Sequence, residues 1–170
     1  PALGRPLLSY RNVFDVVTRG VEVDTEAALT SSITAGGAYT YLDAYDVETG
    51  RQLTGRHRHH GHVRLSWGPA SSPIHASIRG TFYSSWIASR GTRTGGGVID
   101  TVAPRFSVWD LFLNSRLGGG LSAFLNVDNL TNSQDPNTGV LLPDGAPAAI
   151  YRPDAGRTAR VGNQWSFTAR

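Results

Sequence analysis

The feature that most constrains this chain is a period of two in its hydropathy. Val21, Val23, Ala27 and Leu29 alternate with Glu22, Asp24 and Glu26. Val63, Leu65 and Trp67 alternate with His62, Arg64 and Ser66, and Ile74, Ala76, Ile78, Phe82 and Trp86 alternate with His75, Ser77, Arg79, Thr81 and Ser85. Leu121, Ala123, Leu125 and Val127 alternate with Ser122, Asn126 and Asp128, and Ala159, Val161, Trp165 and Phe167 with Arg160, Gln164 and Ser166. Such a pattern builds β-strands with two unlike faces. It predicts about eight strands, near 7–13, 18–29, 33–45, 58–68, 74–87, 104–116, 120–129 and 157–167. Helical periodicity is absent apart from a turn near 143–149.

Alternation alone also fits a soluble sandwich or lipocalin-like barrel, so the faces have to decide. With the apolar face taken from the aliphatic and aromatic residues, the strand charges are expected on the opposite face, as is Asp110 opposite Trp109, Leu111 and Leu113. Asn163 is the clear polar exception. A charge turned to lipid near the midplane costs about 2–4 kcal/mol for arginine. Tyr39, Tyr41 and Trp86 fall at one set of strand ends, and Trp67, Trp165 and Phe167 at the other, as two aromatic girdles would. The hydrophobic fraction of 39% and mean hydropathy of −0.23 do not oppose a membrane barrel, because only alternate residues of such a wall meet lipid. No run of about 18 apolar residues offers a membrane-spanning helix.

The connections alternate in length: short at 30–32, 68–73 and 116–119, long at 46–57, 88–103 and 131–156. Outer-membrane barrels have short periplasmic turns and long extracellular loops. The 33–45 strand therefore runs outward, the 58–68 strand inward, and the last strand ends at the periplasmic side. The chain is expected to be one barrel segment, residues 1–170, that has lost an N-terminal portion, because Pro1 is not preceded by Met and no signal peptide opens it.

Few residues invite chemistry. Of the run Arg56-His57-Arg58-His59-His60-Gly61-His62, a strand would put only His60 and His62 on one face, so no metal site is assigned. Glu22, Asp24 and Glu26 share the polar face and are expected to pair with arginines such as Arg64, Arg79 and Arg160 rather than to act as acid or base. Gly91-Thr92-Arg93-Thr94-Gly95-Gly96-Gly97 lacks the Lys-Ser/Thr and helix of a phosphate loop. There is no cysteine. No catalytic residue, cofactor or enzyme activity is therefore expected. The 16 basic residues, all arginine, are dispersed, which gives no footprint for nucleic acid.

Several stretches resemble the C-terminal half of TonB-dependent outer-membrane receptors. Tyr10-Arg11-Asn12-Val13 with Gly20-Val21-Glu22-Val23 resembles a "Y-x-N … G-V-E" strand pair, and Ala38-Tyr39-Thr40-Tyr41-Leu42-Asp43-Ala44 an outward "Y-T-Y-L-D-A" strand. Thr49-Gly50-Arg51-Gln52-Leu53-Thr54-Gly55-Arg56, with His59-His60, is similar to the loop and inward strand that follow. Leu125-Asn126-Val127-Asp128-Asn129-Leu130-Thr131-Asn132 is similar to the "V-x-N-L-x-(D/N)" motif. Tyr151-Arg152-Pro153-Asp154-Ala155-Gly156-Arg157 resembles "Y-x-x-P-G-R", and Trp165-Ser166-Phe167 the aromatic close. Two features depart from the pattern: Ala155 replaces a proline, and Thr168-Ala169-Arg170 run past the terminal aromatic.

The resemblance implies the last strands of an antiparallel barrel of about 22 strands with a plugged lumen, set in outer-membrane lipid. It implies uptake of a scarce chelate such as an iron–siderophore or cobalamin, captured by loops 46–57, 88–103 and 131–156. Uptake would be coupled to the TonB energy-coupling complex through a plug domain absent from this chain. A self-contained eight-stranded outer-membrane barrel with a structural or adhesive role is the alternative.

Overall fold

The structure is a computed structural model that describes residues 15–92, 95–133 and 156–167. The predicted strand 7–13, the turn near 143–149, the Tyr10 motif, residues 151–155 of the Tyr151 motif and the 168–170 tail lie outside them. Nine strands are described: β1 (Val16–Ala28), β2 (Ile33–Asp46), β3 (His59–Trp67), β4 (Ile74–Tyr83), β5 (Trp86–Thr92), β6 (Val98–Ala103), β7 (Phe106–Gly118), β8 (Leu121–Asp128) and β9 (Thr158–Trp165). Seven form one antiparallel sheet in the order β1-β2-β3-β4-β7-β8-β9, while β5 and β6 pair apart as a hairpin. The seven wall strands are the seven predicted within the described residues. Among the described residues β1 and β9 are the two edges of an open sheet.

The register joins the apolar positions of neighbouring strands. Val21 lies opposite Tyr41 and Val23 opposite Tyr39. Ala35 faces Leu65, Leu65 faces Ile78, Ile78 faces Leu111, Leu111 faces Val127 and Leu125 faces Val161. A one-residue slip anywhere would turn a strand's apolar set to the polar face. No second layer among the described residues covers the joined apolar face. Among the described residues the only buried apolar ones are Ala44 and Ala103, while Val21, Val63, Leu65 and Trp67 are 43–59% exposed. A soluble sandwich buries this face; here it is the outer surface, the place for lipid.

Two expectations are corrected. The predicted 74–87 strand stops at Tyr83, and what was expected to be a long loop at 88–103 contains β5 and β6. Ser84 turns the chain away: its N–H donates to the His59 carbonyl (2.8 Å) and its Oγ accepts from the His59 N–H (3.1 Å). Pro104, just before β7, has no N–H to extend the ladder. Trp86 accordingly leaves the girdle and begins β5. The second correction concerns charge: Arg19 and Asp43 lie directly opposite each other on the parity of Val21 and Tyr41, the apolar side. They sit between the Val21–Tyr41 and Val17–Tyr45 pairs, near the outer ends of the strands, and pair at 3.1 Å. Asn163 does lie on the apolar side, opposite Ala123.

Local chemistry fixes the connections. Thr30 Oγ1 accepts from the N–H groups of Ser32 and Ile33 (3.1 and 3.0 Å) and closes the β1–β2 turn. Gly119 and Gly120 join β7 to β8 with φ of 58° and 80°, as a two-residue type I′ hairpin requires. Two wall glycines seat aromatic rings. A Cβ on Gly80 would lie 2.7 Å from the Trp109 ring, and one on Gly162 2.6 Å from Phe124.

Candidate ligand-binding rim

The outer ends of the strands gather the long connections. In the 47–58 connection the N–H of Thr49 donates to Asp46 Oδ1 (2.9 Å). Tyr45 bridges to Gln52, and the N–H of Leu53 donates to the Ala44 carbonyl (2.9 Å), so this segment folds back onto β2. The Gly55 N–H then donates to the Ile87 carbonyl (2.9 Å) and ties it to the β5–β6 hairpin. Within the hairpin, Arg90 Nε and Nη2 donate to the two oxygens of Asp100 (2.6 and 3.1 Å). This bidentate bond holds the Asp100 carboxyl below its ordinary range and raises the Arg90 guanidinium above its own.

An aromatic cluster forms where these pieces meet the wall. The His57 ring packs on Tyr83 (4.9 Å between centroids) and Trp86 (5.2 Å). Its Nδ1 donates to the Ser84 carbonyl (2.9 Å), which fixes the tautomer. Tyr83 stacks on Phe106 at 4.8 Å and on His60 at 6.4 Å. Tyr83 stands directly opposite both His60 and Phe106 across the ladder, on the polar face that holds Arg79 and Arg64. Such contacts contribute about 0.5–1.5 kcal/mol each. The rim thus presents aromatic faces over a polar wall, an arrangement that can stack on and hydrogen-bond a polar, ring-bearing or chelated solute.

Below the rim the polar face carries charge. Arg64 pairs with Glu26 and Arg160 with Asp128. The expected pairing of the acidic row is met only by Glu26; Glu22, Asp24 and Arg79 make no ion pair among the described residues. Arg79 lies between Arg64 and Asp110 in the ladder, and Asp110 instead accepts the N–H of Asn129 (2.9 Å). The histidines separate as the strand period predicts: His60 and His62 share the polar face, and His59 turns to the other side with Nδ1 2.7 Å from the Tyr39 hydroxyl. No group of three or more His, Asp or Glu among the described residues could hold a metal ion.

The Asp128-Asn129-Leu130-Thr131-Asn132 motif also acquires a physical role. Asn129 takes a left-handed φ of 53°, is 7% exposed, and both donates to and accepts from the backbone of Ser133 (2.5 and 2.8 Å). Asn132, also at φ 53°, accepts the N–H of Arg157 (2.9 Å). The two asparagines clasp the ends of the 131–156 connection where it leaves β8 and rejoins β9.

Tyr83 and Phe106 are the rim residues that the alternation overlooked. Their signal was present: each is a large aromatic on the charged parity of its strand. Loops 46–57 and 88–103 do converge, whereas most of 131–156 lies outside the described residues.

An open meander with an uncovered apolar face, a charged opposite face and long outer connections defines the wall of an outer-membrane β-barrel. The family model described as "TonB dependent receptor-like, beta-barrel" matches residues 2–130, and the chain belongs to that family. It is 25% identical over 138 residues to the ferrioxamine B receptor of Salmonella typhimurium, covering 76% of this chain and 19% of that protein. Its fold resembles the ferripyoverdine receptor of the Pseudomonas aeruginosa outer membrane (TM-score 0.69, 15% identity, 89% of this chain and 20% of that one). It also resembles the copper transporter OprC (TM-score 0.67, 18% identity, 89% and 24%) and the FrpB iron transporter from Neisseria meningitidis (TM-score 0.62, 19% identity, 87% and 23%). The chain spans about a fifth of the length of the curated relatives it matches.

Proposed function

We propose that this chain is wall and rim of a TonB-dependent receptor that takes up a scarce chelated nutrient, an iron–siderophore being the favoured class. The observation that carries the reading is the rim: the 47–58 connection, the β5–β6 hairpin and the ends of β3, β4 and β7 bring His57, His60, Tyr83, Trp86 and Phe106 together on the polar side. A rigid aromatic surface supplies contact area at low conformational cost. The ferrioxamine B receptor likeness supports iron chelates as the ligand class; the copper transporter shares only the fold. The open sheet and the fivefold greater length of the relatives favour a large barrel over a closed eight-stranded one. The remaining strands, the plug and the TonB-contacting segment would be supplied by sequence outside these residues.

The test is radioiron uptake in a host lacking this receptor and its own siderophores, complemented with the natural-length protein. Uptake of a hydroxamate iron chelate should require both the receptor and TonB. His57→Ala with Tyr83→Ala should raise the half-saturating concentration about tenfold, from the loss of two aromatic contacts. Uptake of no iron chelate, or uptake indifferent to TonB, would refute the reading.

A further inference from the structure

Asp43, on the apolar parity, gathers two arginines into a built site. Arg19 Nε and Nη2 donate to Asp43 Oδ2 (3.2 and 3.1 Å), and Arg58 Nη2 donates to Asp43 Oδ1 (3.2 Å). Two guanidinium groups share one carboxylate, so the cluster keeps an excess positive charge. The Asp43 side chain is 14% exposed, but those of Arg19 and Arg58 are 69% and 44% exposed and keep N–H donors free. A pocket of about 280 Å³ opens there, lined by Arg19, Asp43, Tyr45, Gly50, Gln52 and Arg58.

Its position is specific. Arg19 and Asp43 lie two residues outward of the Val21–Tyr41 pair, and Tyr39 and Tyr41 gather round His59 just below. Further down the same face runs an apolar groove of about 680 Å³ whose floor and walls include Val23, Ala35, Gly37, Val63, Leu65 and Ile78. From Asp43 to Gly37, in the groove, is six residues, about 20 Å along the strand. A cationic pocket at headgroup level therefore stands over an apolar groove that starts beside Val23 and Tyr39 at acyl-chain depth in the outer leaflet and runs inward past Gly37 and Val63.

We propose that this face binds a phosphorylated, multiply acylated glycolipid of the outer leaflet, with phosphate on Arg19 and Arg58 and an acyl chain in the groove between β1 and β3. Guanidinium groups bind phosphate bidentately, and the excess cation supplies the charge complementarity. Asp43 splays and orients the two arginines and competes with the phosphate for them.

The experiment uses natural-length protein, delipidated in mild detergent and titrated with lipopolysaccharide, its dephosphorylated form, or phosphatidylglycerol, with bound lipid read by native mass spectrometry. Arg19→Ala with Arg58→Ala should weaken lipopolysaccharide binding about tenfold or more, and dephosphorylation of the lipid should do the same to the unaltered protein. Val23→Trp, which fills the outer end of the groove from the lipid side, should also weaken it. Asp43→Asn should strengthen binding. It breaks the same ion pairs as the double arginine variant, so a purely structural role would move both variants in one direction. Equal binding by the double variant and the unaltered protein overturns the proposal, as does phosphatidylglycerol held as tightly as lipopolysaccharide.

Discussion

Val63 offers a quantitative test of which side of the wall meets lipid. It sits opposite Gly37 on β2 and Gly80 on β4 and is 48% exposed. The apolar band along β2 runs from Ile33, opposite Trp67, to Tyr41, opposite His59. Eight residues at about 3.3 Å span about 26 Å of strand, or about 20 Å along the membrane normal at a tilt of about 40°. Gly37 and Val63 lie at the middle of that band, so Val63→Arg puts a guanidinium at the midplane. The expected cost is about 2–4 kcal/mol, which lowers the folding equilibrium roughly 30- to 1,000-fold. His62→Arg, one residue away on the polar face, should stay within about 0.5 kcal/mol of the unaltered protein. Ala76→Arg, beside Trp67 at the inner edge, should cost about 0–1 kcal/mol. The assay is denaturant unfolding of the natural-length protein in vesicles, followed by tryptophan fluorescence. Repeating it in bilayers with shorter acyl chains should reduce the Val63→Arg cost, because the guanidinium then lies closer to water. Equal costs for Val63→Arg and His62→Arg, or a Val63→Arg cost indifferent to bilayer thickness, would refute the assignment of the faces.

Other consequences are as accessible. Because Asp100 is held below its ordinary range by Arg90, its contribution to hairpin stability is present above the unfolded carboxylate pKa and fades as pH falls through the lowered folded value. Hydrogen exchange across β5 and β6 should accelerate in that acidic window, and Asp100→Asn should abolish the pH dependence. Gly80→Ala drives a methyl into the Trp109 ring and should destabilise by about 1–3 kcal/mol; pairing it with Trp109→Ala should recover part of that loss in a double-mutant cycle. Asn129→Ala loses both bonds to the Ser133 backbone and strains a left-handed residue. A loss of about 1–3 kcal/mol is expected, with Asn129→Gly intermediate, read from the unfolding midpoint.

Legibility in the sequence followed the range of the interaction. Alternation from Leu121 to Val127 needs only the pleat, so β8 and its two faces were readable. The turn at Gly119-Gly120 needs only two residues able to adopt positive φ. The end of β4 was not readable, because the alternation runs on through Ser85 and Trp86; what stops it is Ser84 bonding to His59, 25 residues away. The rim was half readable. The loops that form it were marked by length and composition, but the stack of His60, Tyr83 and Phe106 depends on strands β3, β4 and β7 being neighbours, with 86–103 looped out between the last two.

The sequence by itself determined that the chain makes strands with one charged and one apolar face, because side-chain direction in a strand follows from residue parity alone. Only the tertiary structure decided that the apolar face remains uncovered among the described residues, since covering it is a matter of layers and not of parity. It also decided the fate of the exceptions. Arg19 and Asp43 each break the pattern on their own strand, and the β1–β2 register makes them partners. Placed outward of Tyr39 and Tyr41, near the ends of the strands, they sit where a wall leaves hydrocarbon and charge regains its counter-ions and water.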